Sequence, residues 1–305
     1  MKKQEQTRNS TQIRRTREDT VFDVITVLFL GALLLIIAYP LYFVLIASIS
    51  DPYEVLNGNV LFLAKGINFD AYKRIFQDKT IWIGYFNTFA YTVCGTMFNV
   101  ALTMMIAYPL SRKNFSGRKT IMTLLIITMY FGGGMIPTYM LVNKLQLRNT
   151  FWVMIVLGAV SVYNIIIART FLESNISTEL EEAASIDGCS QLKFFTSMVI
   201  PLSKSVIAIL VLYYAVAHWN DYMRGLLYLD KAEKFPLQLV IRSILLQTKT
   251  VAADTMDVFE LDARMKLAES IKYGVIIISS LPVLVLYPFV QKHFVKGVMI
   301  GSVKG

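Results

Sequence analysis

Ser177 to Leu202 reads STELEEAASIDGCSQLKFFTSMVIPL, a polar island between two long apolar stretches. Thr178 followed by Glu181 forms a T-x-x-E capping box, which predicts a helix start. Glu179, Glu181 and Glu182 crowd its first turn, where the positive end of the helix dipole favours carboxylates. Gly188 falls where a left-handed residue would end the helix. Ser190 is placed to cap a second helix, which Pro201 limits. The stretch predicts a compact helix-turn-helix whose first helix is about 13 Å long. Such a knob suits a membrane face and a groove in another protein.

The surrounding composition sets the class. Of 305 residues, 55% are hydrophobic and 17% charged, against about 45–50% and 25% in a soluble domain. A mean hydropathy of +0.53 agrees. The net charge of +9 gathers at the ends of apolar runs, so it reads as the positive-inside signal rather than a nucleic-acid footprint. Cys94 and Cys189 have no metal-type or C-x-x-C spacing. The first apolar run is too long for a cleavable signal peptide.

Charge-free runs then place the spans. Residues 1–20 form a basic arm next to lipid headgroups. A first span covers 21–50, with Pro40 inside it. The others cover Thr80–Ser111, which is longer than one span needs, Thr120–Asn143, Asn149–Ala168, about Pro201–Tyr222 and Tyr273–Gln291, which are near the 20 residues a bilayer needs. Gly132-Gly133-Gly134 and Pro137 predict a break in the third span, tolerated at membrane depth only where backbone is packed in protein or lines a cavity. The arm, the Arg112–Lys119 loop and the 293–305 tail are basic, whereas the loops at 51–79 and 224–272 are near neutral. The reading is all-α and polytopic, with six transmembrane helices and both termini cytoplasmic. It puts the Ser177–Leu202 stretch on the same inner side.

Glu182-Ala183-Ala184, Asp187-Gly188, Phe195 and Pro201-Leu202 resemble the EAA loop of bacterial ABC importer permeases. The family pattern is EAA, three residues, Gly, nine residues, then I-x-L-P. Met198 stands for its Ile and Ile200 for its Leu. The resemblance covers roughly residues 75–305 and is nearest to carbohydrate-uptake permeases of the MalG-like kind, within them a lipoprotein/polysaccharide-type branch. Asn68 to Tyr72, Ile136 to Tyr139, Leu145 to Asn149, Trp219 to Tyr222, Tyr287 to Gly297 and the final Gly301 to Gly305 carry it further. It implies a type I importer permease core over 75–292 with its coupling loop at 177–202. It also implies a second, MalF-like permease, two ATPase subunits and an extracellular sugar-binding protein, in the bacterial cell membrane. The ATPases would bind ATP and Mg; no cofactor is expected in this chain. The residues expected to engage the ATPase are Glu179, Glu182, Ala183, Ala184, Asp187, Gly188 and Pro201, with the two alanines keeping one face small.

No catalytic motif is present: there is no G-x-x-x-x-G-K-[ST], H-E-x-x-H or G-x-S-x-G. The chain reads as a non-catalytic subunit. Saccharides are held by aromatic faces and amides, which makes Tyr130, Tyr163, Asn164, Trp219, Asn220 and Tyr222 candidates for a substrate path. His218 with Asp221 reads as the polar end of a span, with a proton relay as the alternative. At the level of the whole chain the alternatives are an ABC permease for a non-sugar solute such as a peptide, an ion-coupled secondary transporter and a membrane enzyme. An ion-coupled carrier predicts carboxylates inside the spans, and spans two to six hold none apart from Asp221 at the very end of the fifth.

Overall fold

The computed structural model describes residues 16–250 and 271–285. The basic arm before Thr16, the second half of the 224–272 loop, the end of the sixth span, His293 and the 293–305 tail lie outside the described residues. The described residues are all helix and connection, with no strand among them.

Helix α1 spans Arg17–Ser48, with Thr16 and Asp19 closing a reciprocal capping box. Pro40 is accommodated inside it. Only Ile46, Ala47 and Ser48 are buried, so the apolar length of α1 faces outward. Short helices α2 (Pro52–Leu56) and α3 (Asp70–Gln77) follow.

Helix α4, Lys79–Ser111, is the mast of the fold. At about 50 Å it exceeds a hydrocarbon layer of about 30 Å. Its buried positions include Ile81, Gly84, Thr88, Thr92, Gly95, Asn99, Thr103, Ala107 and Leu110. They recur every three or four residues, so one face is covered along the whole helix. That face is small or polar rather than bulky, the composition that lets helices approach closely in lipid. A Cβ on Gly84 would sit 3.1 Å from Leu237 Cα, and one on Gly95 would overlap the His218 ring.

The third apolar run is broken where its glycines predict. Helix α5 (Arg118–Tyr130) and helix α6 (Met135–Lys144) meet at 110°, and Gly134 at the join has φ +86°. The fourth run differs from the uninterrupted span predicted over 149–168. Helix α7 (Phe151–Val156) stops, Gly158 turns with φ +77°, and α8 (Val162–Asn175) starts afresh under a Ser161 cap. Periodicity could not reveal this break, because apolar residues continue through it.

Helix α9 (Thr178–Ile186) leads through Gly188 to α10 (Gln191–Phe194). A π-helical turn at Phe195–Val199 joins α10 to α11 (Ile200–Leu202). Pro201 has no N–H to donate and its ring crowds the preceding turn, and the widened turn ends there. Helix α12 (Lys204–Trp219) then leaves at 80°. Helices α13 (Met223–Tyr228) and α14 (Leu237–Thr250) follow, and α15 covers Ile271–Val285.

Among the described residues, two helices are long and apolar enough to cross a membrane, or up to four spans if each bent pair counts as one. Helices α8 and α12 pack on α4, and α14 packs near its start, against Gly84. The largest buried cluster joins Met104, Leu110, Ile165, Leu172, Phe194 and Leu210. It ties the knob to the mast: Ala184 of α9 belongs to it.

Candidate functional site: a coupling loop and a cavity

The knob is capped one residue earlier than predicted. Ser177, not Thr178, is the N-cap of α9; its hydroxyl accepts from the Leu180 N–H. The Thr178–Glu181 box does not form, because Thr178 is the first residue inside the helix rather than its cap; Glu181 pairs with Arg112 instead. Bonds from its own backbone and from the Ser177 hydroxyl hold the Glu179 carboxyl below the usual carboxylate range, with a smaller pull from Lys113. At the far end Gly188 holds φ +73°. Its N–H donates to the Ser185 carbonyl and that of Cys189 to the Ala184 carbonyl. These two bonds are a Schellman motif. Ser190 caps α10 as predicted.

The loop's two faces separate cleanly. Ala184 points into the chain's own core at 6% exposure, so it is not free to seat against a partner. Glu179, Glu182, Ala183 and Ile186 are exposed, and their spacing puts them on one helical stripe. Asp187 and Gly188 continue it at the tip, while Pro201 lies back at the root of α12. Ile186, absent from the sequence prediction, is 86% exposed. An apolar side chain that bare at the tip of a knob is the signal that could have found it.

A brace fixes the knob to the mast. Arg112, just past the end of α4, donates to the Leu172 and Ile176 carbonyls at 3.1 and 3.2 Å and pairs with Glu181 at 3.4 Å. Its guanidinium lies 5.4 Å from the Tyr108 ring centroid. Tyr108 donates to Gln191 at 2.9 Å, and Gln191 donates back to Glu181 at 3.3 Å. Arg169 of α8 returns the favour, donating to the Leu110 carbonyl at 3.0 Å. Each arginine thus caps the other helix's carboxyl end, where cations are favoured. Knob, α4 and α8 are held as one body.

The second feature is a cavity of 390 Å³ between α4, α8, α12 and the α7–α8 break. Tyr163 and Asn164 of the predicted substrate path line it, with Asn99, Tyr213, Tyr214 and His218. The other four predicted path residues lie elsewhere. Tyr130 is 76% exposed on α5. Trp219 is buried and donates to the Ser279 carbonyl. Asn220 folds back to the Val216 carbonyl, and Tyr222 is half-exposed beyond it. Sequence reading missed Asn99. Its signal is the polar series Thr88, Thr92, Thr96, Asn99 and Thr103 on one side of an apolar helix.

No protein-family model matches the chain. Individual relatives match nearly end to end. The protein LplC of Bacillus subtilis is 39% identical over 96% of this chain and 98% of its own length. The polygalacturonan/rhamnogalacturonan transport system permease protein YtcP of the same organism is 37% identical over 94% and 100%. Among solved structures, a chain of a bacterial ABC transporter that imports the acidic polysaccharide alginate superposes with a TM-score of 0.82. It is 32% identical and the match covers 92% of this chain and 99% of that one. An all-helical membrane chain with these full-length relatives belongs to the carbohydrate-uptake permeases of ABC transporters, the non-catalytic membrane subunits of those systems.

Proposed function

We propose that this chain carries an oligosaccharide or polysaccharide fragment across the bacterial cell membrane, and that the α9 knob couples transport to ATP closure in partner subunits. The observation that carries the reading is the bare stripe Glu179, Glu182, Ala183 and Ile186 on a knob braced to α4 and α8. A groove in an ATPase subunit takes the stripe; Glu182 supplies a charge-assisted hydrogen bond there. Gly188 and Pro201 set the angles at which the chain enters and leaves. When two ATPase subunits close around ATP and Mg, the knobs approach and the helices attached to them turn. Access then switches from one side of the membrane to the other. The solute passes along Tyr163 and Asn164.

The assembly has a second, MalF-like permease and an extracellular sugar-binding protein. Six spans, cytoplasmic termini and lipid around the outward face of α1 complete the arrangement. A relative named for polygalacturonan/rhamnogalacturonan transport and a neighbour that imports alginate favour polysaccharide fragments as cargo. The test is reconstitution in vesicles with the second permease, the ATPases and the binding protein, offered oligogalacturonides and maltodextrins. Uptake should require ATP and every component. Uptake by the chain without an ATPase would refute the proposal.

A further inference from the structure

Two buried residues in the lining of this cavity each keep one polar atom without a partner. Asn99 is 2% exposed and His218 is 3% exposed. The Asn99 amide nitrogen and His218 Nε2 lie 3.0 Å apart. Asn99 Oδ1 and His218 Nδ1 have no hydrogen-bond partner. If the amide donates to Nε2, the imidazole proton sits on Nδ1, leaving one free donor and one free acceptor. If the amide is turned over, the free pair is again one donor and one acceptor. A buried polar atom left unsatisfied costs about 1–3 kcal/mol, so two of them on residues that line one cavity call for an explanation.

Depth and lining narrow the ligand. Asn99 lies roughly 20 Å along α4 from its Arg112 end, and Ser161 is about as far from the end of α8. That is well inside a layer about 30 Å thick. The irregular backbone at Gly158–Ser161 lies at this depth, and Gly158 and Ser161 line the cavity; open backbone is tolerated there for that reason. Tyr163 and Tyr213 present rings 6.3 Å apart at its wall. Arg224 is already engaged, by the Asp221 carboxylate and by the Met154 and Leu157 carbonyls. No unpaired full charge lines the cavity among the described residues.

We infer that Asn99 and His218 form a hydroxyl-reading subsite on this subunit. It takes the diol edge of a sugar ring while Tyr163 and Tyr213 cover its face, and it does not read a carboxylate. A hydroxyl both donates and accepts, which matches the free pair whichever way the amide lies. The inference rests on the carbohydrate-uptake reading and goes beyond it in assigning sugar contact to this chain.

The test uses the whole importer in vesicles, with oligogalacturonides and maltodextrins as probes, reading sugar imported per ATP hydrolysed. Asn99→Leu and His218→Phe should lower that ratio about tenfold. Tyr163→Leu, at a 53% exposed position, should assemble as wild type does and lower the ratio too. An unchanged ratio in Tyr163→Leu and in either assembled buried-site variant overturns the subsite while leaving the sugar reading intact. A wild-type importer that moves neither probe, yet is stimulated by a peptide, overturns the sugar reading itself.

Discussion

Gly188 and Gly95 are both required, for different reasons. At Gly188 a Cβ would meet no atom within 4 Å, but φ is +73°. Only the backbone conformation selects glycine there, and an ordinary side chain costs about 1–2 kcal/mol in it. Asn tolerates that region, so Gly188→Asn should keep ATPase stimulation by loaded binding protein close to wild type. Gly188→Val, β-branched, should abolish most of it in an assembled complex. At Gly95 the limit is space: a methyl group would overlap His218. Gly95→Ala should lower stability by about 1–3 kcal/mol, read as a lower unfolding midpoint in detergent. Gly188 was legible in the sequence, because a capped acidic helix followed by glycine has one common ending. The role of Gly95 was not, since nothing local says which helix will cross there.

The helix-turn-helix, the break after Tyr130 and the mast were all readable from punctuation: capping residues, a triple glycine and a long charge-free run. The brace was not. Arg112 meets Leu172, Ile176 and Glu181 only because α4 and α8 end at one level, and sequence order does not reveal that. The same blindness misassigned Ala184, since the sequence marks both alanines as small but not which one faces inward. The brace makes a quantitative expectation. Glu181→Gln and Arg112→Gln should each reduce sugar moved per ATP. The double variant should be less impaired than the product of the two, with a coupling energy of about 0.5–3 kcal/mol. Additive effects would show that Arg112 and Glu181 act independently, as surface charges do.

At the scale of the molecule, α1 and the core behave differently. The core is stitched through α4, whereas α1 buries only its last three residues. Its loop-side end is held by Tyr39 donating to the Leu61 carbonyl and by Phe43 edge-on to Tyr273. Removing residues before Tyr39 should therefore leave the unfolding midpoint of the core nearly unchanged in detergent. The central claim is that the α9 knob faces the cytoplasm and is gripped by an ATPase subunit. The most direct measurement labels Ile186→Cys, in a background with Cys94 and Cys189 replaced by Ser, using a membrane-impermeant maleimide. Intact cells should show no labelling, opened membranes strong labelling, and opened membranes with the ATPase subunits assembled should again show protection. Labelling of intact cells from outside would contradict the account.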